Sequence, residues 1–217
     1  MSEWVNDAHR DFLEGVMRVD IFGLKSGGTI DSPLTAPIRP GVPQLRPGER
    51  YLIETVIRTV KMGHLFTQGT ADSNEVWLDV IVTSGGRAAD GAVDPWSHFV
   101  NAFVLDREGR RIDRRNAQDI FIALYDHQIP PAAAGVVHYL LFVPPDVREP
   151  ITVDVKLQYR KFDTTYMKFF ATDNFTANDL PVTTLAANHA ADAIIIYDLA
   201  RPGAYELPAP DEVAGND

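Results

Sequence analysis

The side chains of this sequence best suited to ligation or proton transfer are its six histidines, His9, His64, His98, His127, His138 and His189. There is no cysteine. That removes thiolate metal sites, disulfides, a cysteine nucleophile and covalent haem attachment through Cys-x-x-Cys-His. No two histidines stand at i,i+2 or i,i+4, so no single strand or helix offers a local metal pair. A neutral imidazole can still bind a divalent ion or serve as an axial ligand to haem iron. His64, His98 and His127 fall at loops or strand ends, where β-domains place functional groups. They are the contact candidates, either for a haem carried by a partner or, converging, for one divalent metal ion in a metal-binding protein or metal-dependent enzyme. The other reading of each is a hydrogen-bonded structural histidine.

His138 alternates with Val137 and Tyr139 and reads as sheet packing, and His9 and His189 lie in end segments. Asp72, Glu75, Asp79, Asp90, Asp94 and Asp126 bracket the same loops and would suit a hard cation such as Ca²⁺, or stand as solvated carboxylates. The nucleophile elbow G-x-S-x-G, the phosphate loop G-x-x-x-x-G-K-[ST], H-E-x-x-H and the dinucleotide G-x-G-x-x-G are all missing, so the expectation is a non-catalytic module. A formal charge of -10 repels phosphate backbones, which argues against a nucleic-acid partner. The densest basic run, Arg107 to Arg115, is interleaved with Glu108 and Asp113 and reads as a solvated turn.

The elements that must position these groups are mostly strands. Tyr51 to Lys61, Glu75 to Thr83, Val137 to Val143 and Ile151 to Arg160 alternate apolar and polar residues with period two. Arg18 to Leu24, His98 to Leu105, Ile120 to Tyr125 and Ala193 to Leu199 are further strand candidates. A helix is expected over Asn6 to Val16, capped by Asn6 or Asp7, and one helical turn over Asp163 to Phe170. Lys25 to Arg50 holds Pro33, Pro37, Pro40, Pro43 and Pro47 and reads as a long Pro-rich connector. The class is therefore mainly β, an immunoglobulin-like antiparallel β-sandwich, divided into a leading helix at 1–17, the sandwich at 18–200 and a disordered tail at 201–217. The sequence opens on neither a basic start nor a long apolar run, and nowhere holds the roughly 18 successive apolar residues of a membrane span. No signal peptide and no spanning helix are expected.

Four stretches carry a resemblance when taken in order: Gly63-His64-Leu65-Phe66-Thr67-Gln68-Gly69, Asp72-Ser73-Asn74-Glu75-Val76-Trp77-Leu78, Asp90-Gly91-Ala92-Val93-Asp94-Pro95-Trp96-Ser97-His98-Phe99, and Leu157-Gln158-Tyr159-Arg160-Lys161-Phe162-Asp163-Thr164-Thr165-Tyr166. Together they resemble the cysteine-free sandwich domain found beside the haem-binding region of multihaem c-type cytochromes, in chains with doubled Cys-x-x-Cys-His motifs or tetratricopeptide repeats. The resemblance spans roughly Val19 to Leu185. It implies an accessory or assembly role in electron transfer outside the cytoplasm, with a multihaem cytochrome as protein partner. It also implies haem contact through His64 and His98, supported by Gly63, Phe66, Gly69, Asp72 and Trp96. With no haem-attachment sequence in this chain, that haem would belong to a partner or to a segment removed from it. A structural or adhesive sandwich packing through strand edges is the remaining alternative.

Overall fold

The structure, a computed structural model, describes residues 3–38, 43–67, 71–84 and 97–196, with side chains described for 4–38, 43–67, 71–84 and 97–188. Helix α1 (Glu3–Leu13) leads into β1 (Met17–Ser26), β2 (Leu34–Thr35), β3 (Gln44–Leu45), β4 (Arg50–Thr59) and β5 (Glu75–Ser84). After these come β6 (Ala102–Leu105), β7 (Ile122–Asp126), β8 (Ala134–Phe142), β9 (Ile151–Arg160), α2 (Thr164–Ala171) and β10 (Val182–Ile196). Two four-stranded sheets run in the orders β2-β1-β4-β8 and β3-β10-β9-β5, and β6 and β7 form a separate ribbon. Pairing is antiparallel except where β10 meets the two residues of β3.

The mainly β class follows from the alternation. In β4 the odd residues Tyr51, Ile53, Thr55, Ile57 and Thr59 are buried, and in β9 Ile151, Val153, Val155 and Leu157 are. These two inward faces meet in one apolar cluster that also takes Val19 and Ile21 from β1, Val76 and Leu78 from β5, and Val137 from β8. Period-two strands with one apolar face bury it here by packing sheet against sheet.

Several boundaries differ from those expected. The leading helix begins at Glu3 and stops at Leu13 rather than running from Asn6 to Val16. Asn6 and Asp7 lie within it, and Asp7 accepts a hydrogen bond from Arg10 instead of capping the helix. Val16 and Met17 are pulled into the core, which ends the helix early. The Pro-rich connector supplies two short strands, β2 and β3. The last strand is fifteen residues long and starts at Val182, not Ala193. Ala186, Ala187 and Ala190 weaken its sequence signal, and its stability comes from the ladder to β9. α2 is eight residues, two turns where one was expected. Of the support residues, Gly69 and Trp96 lie outside the described residues, as does the tail at 201–217.

Thr55 sits fully buried in central β4, and its Oγ1 has no hydrogen-bond partner among the described residues. A buried hydroxyl left unpaired costs more than the methyl that would replace it. Thr55→Val is therefore expected to raise unfolding free energy by about 1 kcal/mol in urea titration, with no change of fold by circular dichroism.

Candidate functional site

The histidine site is built on a segment that extends the second sheet. Residues 97–101 run beside β5: Leu78 N–H donates to the His98 carbonyl at 2.9 Å, and Val100 N–H donates to the Val76 carbonyl at 2.8 Å. These bonds hold the main chain of His98 although regular strand structure begins only at Ala102, later than the expected start at His98. The exit of β7 is tied to the same segment, because His127 N–H donates to the Asn101 carbonyl at 2.9 Å.

This brings His98 and His127 together. Their rings stack at 4.8 Å between centroids and 25° between planes. Tyr125 stacks on the other side of His127 at 4.7 Å and 26°, and Phe103 follows at 5.5 Å. The result is a row of four flat rings, Phe103, Tyr125, His127 and His98. His127 Nδ1 lies 3.2 Å from the Phe99 carbonyl. A carbonyl can only accept, so in this bond Nδ1 carries the hydrogen, and in the neutral ring Nε2 then presents its lone pair. His98 is neutral at physiological pH: burial, reinforced by the adjacent His127, pushes its pKa down to about 4.

Three of these rings, Tyr125, His127 and His98, line an open groove of about 610 Å³ together with Ser97, Phe99 and residues 137–140 of β8. His138 reaches this groove from β8, and its Nε2 is 3.1 Å from Glu54 Oε2, to which Lys25 Nζ is also close at 3.6 Å. That ion cluster fixes His138 to the outer face of the first sheet.

His64 is placed elsewhere. It is exposed, its Nδ1 donates to its neighbour Leu65's carbonyl at 2.8 Å, and it lines a second groove with Phe12, Met62 and Tyr159. Its loop is nevertheless fastened near His127. Phe66 is buried and exchanges backbone hydrogen bonds with Ile129 at 3.0 and 2.8 Å, and the Gln128 side chain donates to the Thr67 carbonyl. Phe66 thus anchors this loop, and Gly63 meets open space. Asp72 holds a neighbouring turn, accepting the Arg115 N–H at 2.8 Å where Arg115 adopts a positive φ of 60°. Asp126 accepts the Gln128 N–H at 2.9 Å. Among the described residues no group of three or more His, Asp or Glu side chains is arranged to hold a metal ion.

Two features escaped the sequence reading. Tyr125 and Phe103 complete the ring row; Tyr125 and His127 stand at i,i+2, the spacing of one strand face, and that was the available signal. The basic run is the other. Arg110 is solvated, tied to Asp106 and Glu108, but Arg111 pairs with Asp163 at 3.2 Å, Arg114 lies over Phe169, and Arg115 lies over Phe162 and Tyr166. Arg114 and Arg115 stay exposed, as the solvated-turn reading has it, while Arg111 is half-buried; what that reading lacks is the cation–π and ionic contacts these arginines make to α2 and the residues just before it.

No helix among the described residues is long and apolar enough to cross a membrane. No protein-family model matches the sequence, and no curated protein matches it. Among solved structures the chain is distantly similar to a penta-heme cytochrome c552 from Thermochromatium tepidum, at 15% sequence identity and a TM-score of 0.48, over 83% of this chain and 41% of that one. The chain thus spans less than half the length of that protein.

Proposed function

We propose that this chain is a non-catalytic docking module of an extracytoplasmic multihaem cytochrome system, meeting its partner through the ring row of His98, His127 and Tyr125. The observation that carries the reading is the row itself. Three stacked rings, His98, His127 and Tyr125, at the rim of an open groove, with Phe103 tilted behind Tyr125, form a surface suited to the exposed edge of a planar conjugated group. In the tautomer that the Phe99 carbonyl selects, Nε2 of His127 adds a lone-pair nitrogen to that surface. The order of the four sequence stretches that resemble the cytochrome-associated domain supports the same partner. His64, with its own Nδ1 held by a carbonyl, is a second and separate contact. A single ion shared by His64, His98 and His127 draws no support, because His64 lines a different groove.

The test is binding of the full chain to a purified multihaem c-type cytochrome, followed by calorimetry and by the Soret band. His127→Ala and His98→Ala are each expected to weaken binding roughly tenfold or more, with native circular dichroism, and His64→Ala to weaken it less. Wild-type protein that neither binds nor perturbs the Soret band overturns the proposal.

A further inference from the structure

Strand β8 has one partner. It pairs with β4 in unbroken register from Arg50 opposite Phe142 to Arg58 opposite Ala134, and among the described residues no strand lies on its other side. The phase of its hydrogen bonds can be read from its ends. Val143 N–H donates to the Glu49 carbonyl at 3.0 Å, the Val143 carbonyl accepts from Gly48 N–H at 2.8 Å, and the Ala133 carbonyl accepts from Thr59 N–H at 3.1 Å. Odd-numbered residues therefore turn their polar groups to β4. In an antiparallel ladder the even ones, Ala134, Val136, His138, Leu140 and Phe142, turn theirs to the free edge.

Natural edge strands are guarded against pairing by charges, proline, bulges or cover. The other long edges here follow that rule. β1 carries Arg18, Asp20 and a bulge between Ile21 and Gly23, and the edge of β5 is covered by residues 97–101. Among the described residues β8 has none of these devices. Residues 134–142 contain no Asp, Glu, Lys, Arg or Pro in a chain of net charge -10. Val136, Leu140 and Phe142 are 53%, 60% and 51% exposed on one face.

We propose that two copies of this chain pair antiparallel through β8, about a two-fold axis at His138, joining their first sheets into one. The sequence is self-complementary about that residue. The axis sets Val136 against Leu140 of the second copy, and small Ala134 against large Phe142, on the same face, and it lets the outward N–H of each His138 donate to the C=O of the other copy's His138. An uncharged segment is also where two strongly acidic copies meet without like charges in contact. The paired strand enters the groove that the ring row lines, so a second copy and the proposed cytochrome partner compete for it; self-association and cytochrome binding are nevertheless read by separate assays.

The test is sedimentation of the full chain across a concentration series, with hydrogen exchange resolved by residue. Wild type is expected to dimerise, with the amides of Val136, His138, Leu140 and Phe142 gaining protection as concentration rises. The variants V136K/L140K and V136E/L140E, both altered only at exposed positions, are each expected to self-associate roughly tenfold to a hundredfold more weakly. Mixed in equal amounts they are expected to form a heterodimer, since the register sets each Lys against a Glu. A wild-type chain that stays monomeric to millimolar concentration overturns the proposal, as does a dimer that survives V136K/L140K. If both double variants unfold by circular dichroism, the wild-type exchange pattern decides: protection at the odd-numbered amides alone, unchanged with concentration, sinks the β8 pairing.

Discussion

Asp163→Ala is expected to lower unfolding free energy by about 2–4 kcal/mol, with α2 and the turn holding Arg115 losing order first. Asp163 is buried at the start of α2, where its carboxylate accepts the Tyr166 N–H at 2.6 Å and pairs with Arg111 at 3.2 Å. The first contact is an N-cap, and its loss alone costs about 1 kcal/mol. The second leaves the half-buried Arg111 guanidinium without its carboxylate. Asp163→Asn keeps a cap oxygen and lacks the charge that burial disfavours, so it is expected to cost clearly less than Ala. The Asp163 N–H bond to the Ser73 carbonyl survives in both variants, because it is main chain. Burial pushes the Asp163 carboxyl above its usual range despite the cap and the arginine. Its linkage contribution is present at low pH and lost as pH rises through the raised value. Urea titration of the three proteins at neutral pH checks the order wild type, Asn, Ala; an Ala variant as stable as wild type would show that the clamp on α2 is decorative.

His98 has the opposite sign. Its folded pKa of about 4 lies below the unfolded value of 6.5, so the fold holds the neutral ring. Above pH 6.5 both states are neutral and the group has no effect on the slope. As pH falls from there toward 4, the unfolded chain takes up a proton that the folded chain refuses, and stability declines. Allowing for the solvent that reaches a half-buried ring, the loss across this window is about 2 kcal/mol. His98→Phe keeps a flat ring against His127 and removes the titration. It is expected to flatten the decline, so that wild type falls by about 2 kcal/mol more than the variant between pH 7 and pH 4. Parallel stability profiles of the two proteins would contradict a neutral, buried His98. The same substitution separates packing from ligation: it retains the stack and loses the nitrogen.

The amino-acid pattern alone determines which parts of this chain become sheet and which face of each strand turns inward. β4 and β9 are legible because side chains alternate across a strand, so Tyr51, Ile53 and Ile57, or Val153, Val155 and Leu157, can be buried together only in extended backbone. The pattern is silent where the stabilising contact is non-local. β10 is rich in alanine, and its length is set by the ladder to β9. Arg111 and Arg115 look like surface charges in sequence, and they acquire ionic and ring partners only when the segment between β6 and β7 is brought to the start of α2. Among the histidines, residue type marked out His64, His98 and His127, but chemistry between them depends on distances that sequence separation does not encode. His98 and His127 are twenty-nine positions apart and stacked, because residues 97–101 pair with β5 on one side and receive the His127 N–H on the other. His64 belongs to a loop fastened two residues beyond His127, yet it opens into another groove, since the buried Phe66 turns the chain between them. Local patterning chooses the strands; the hydrogen bonds between distant segments choose which rings meet.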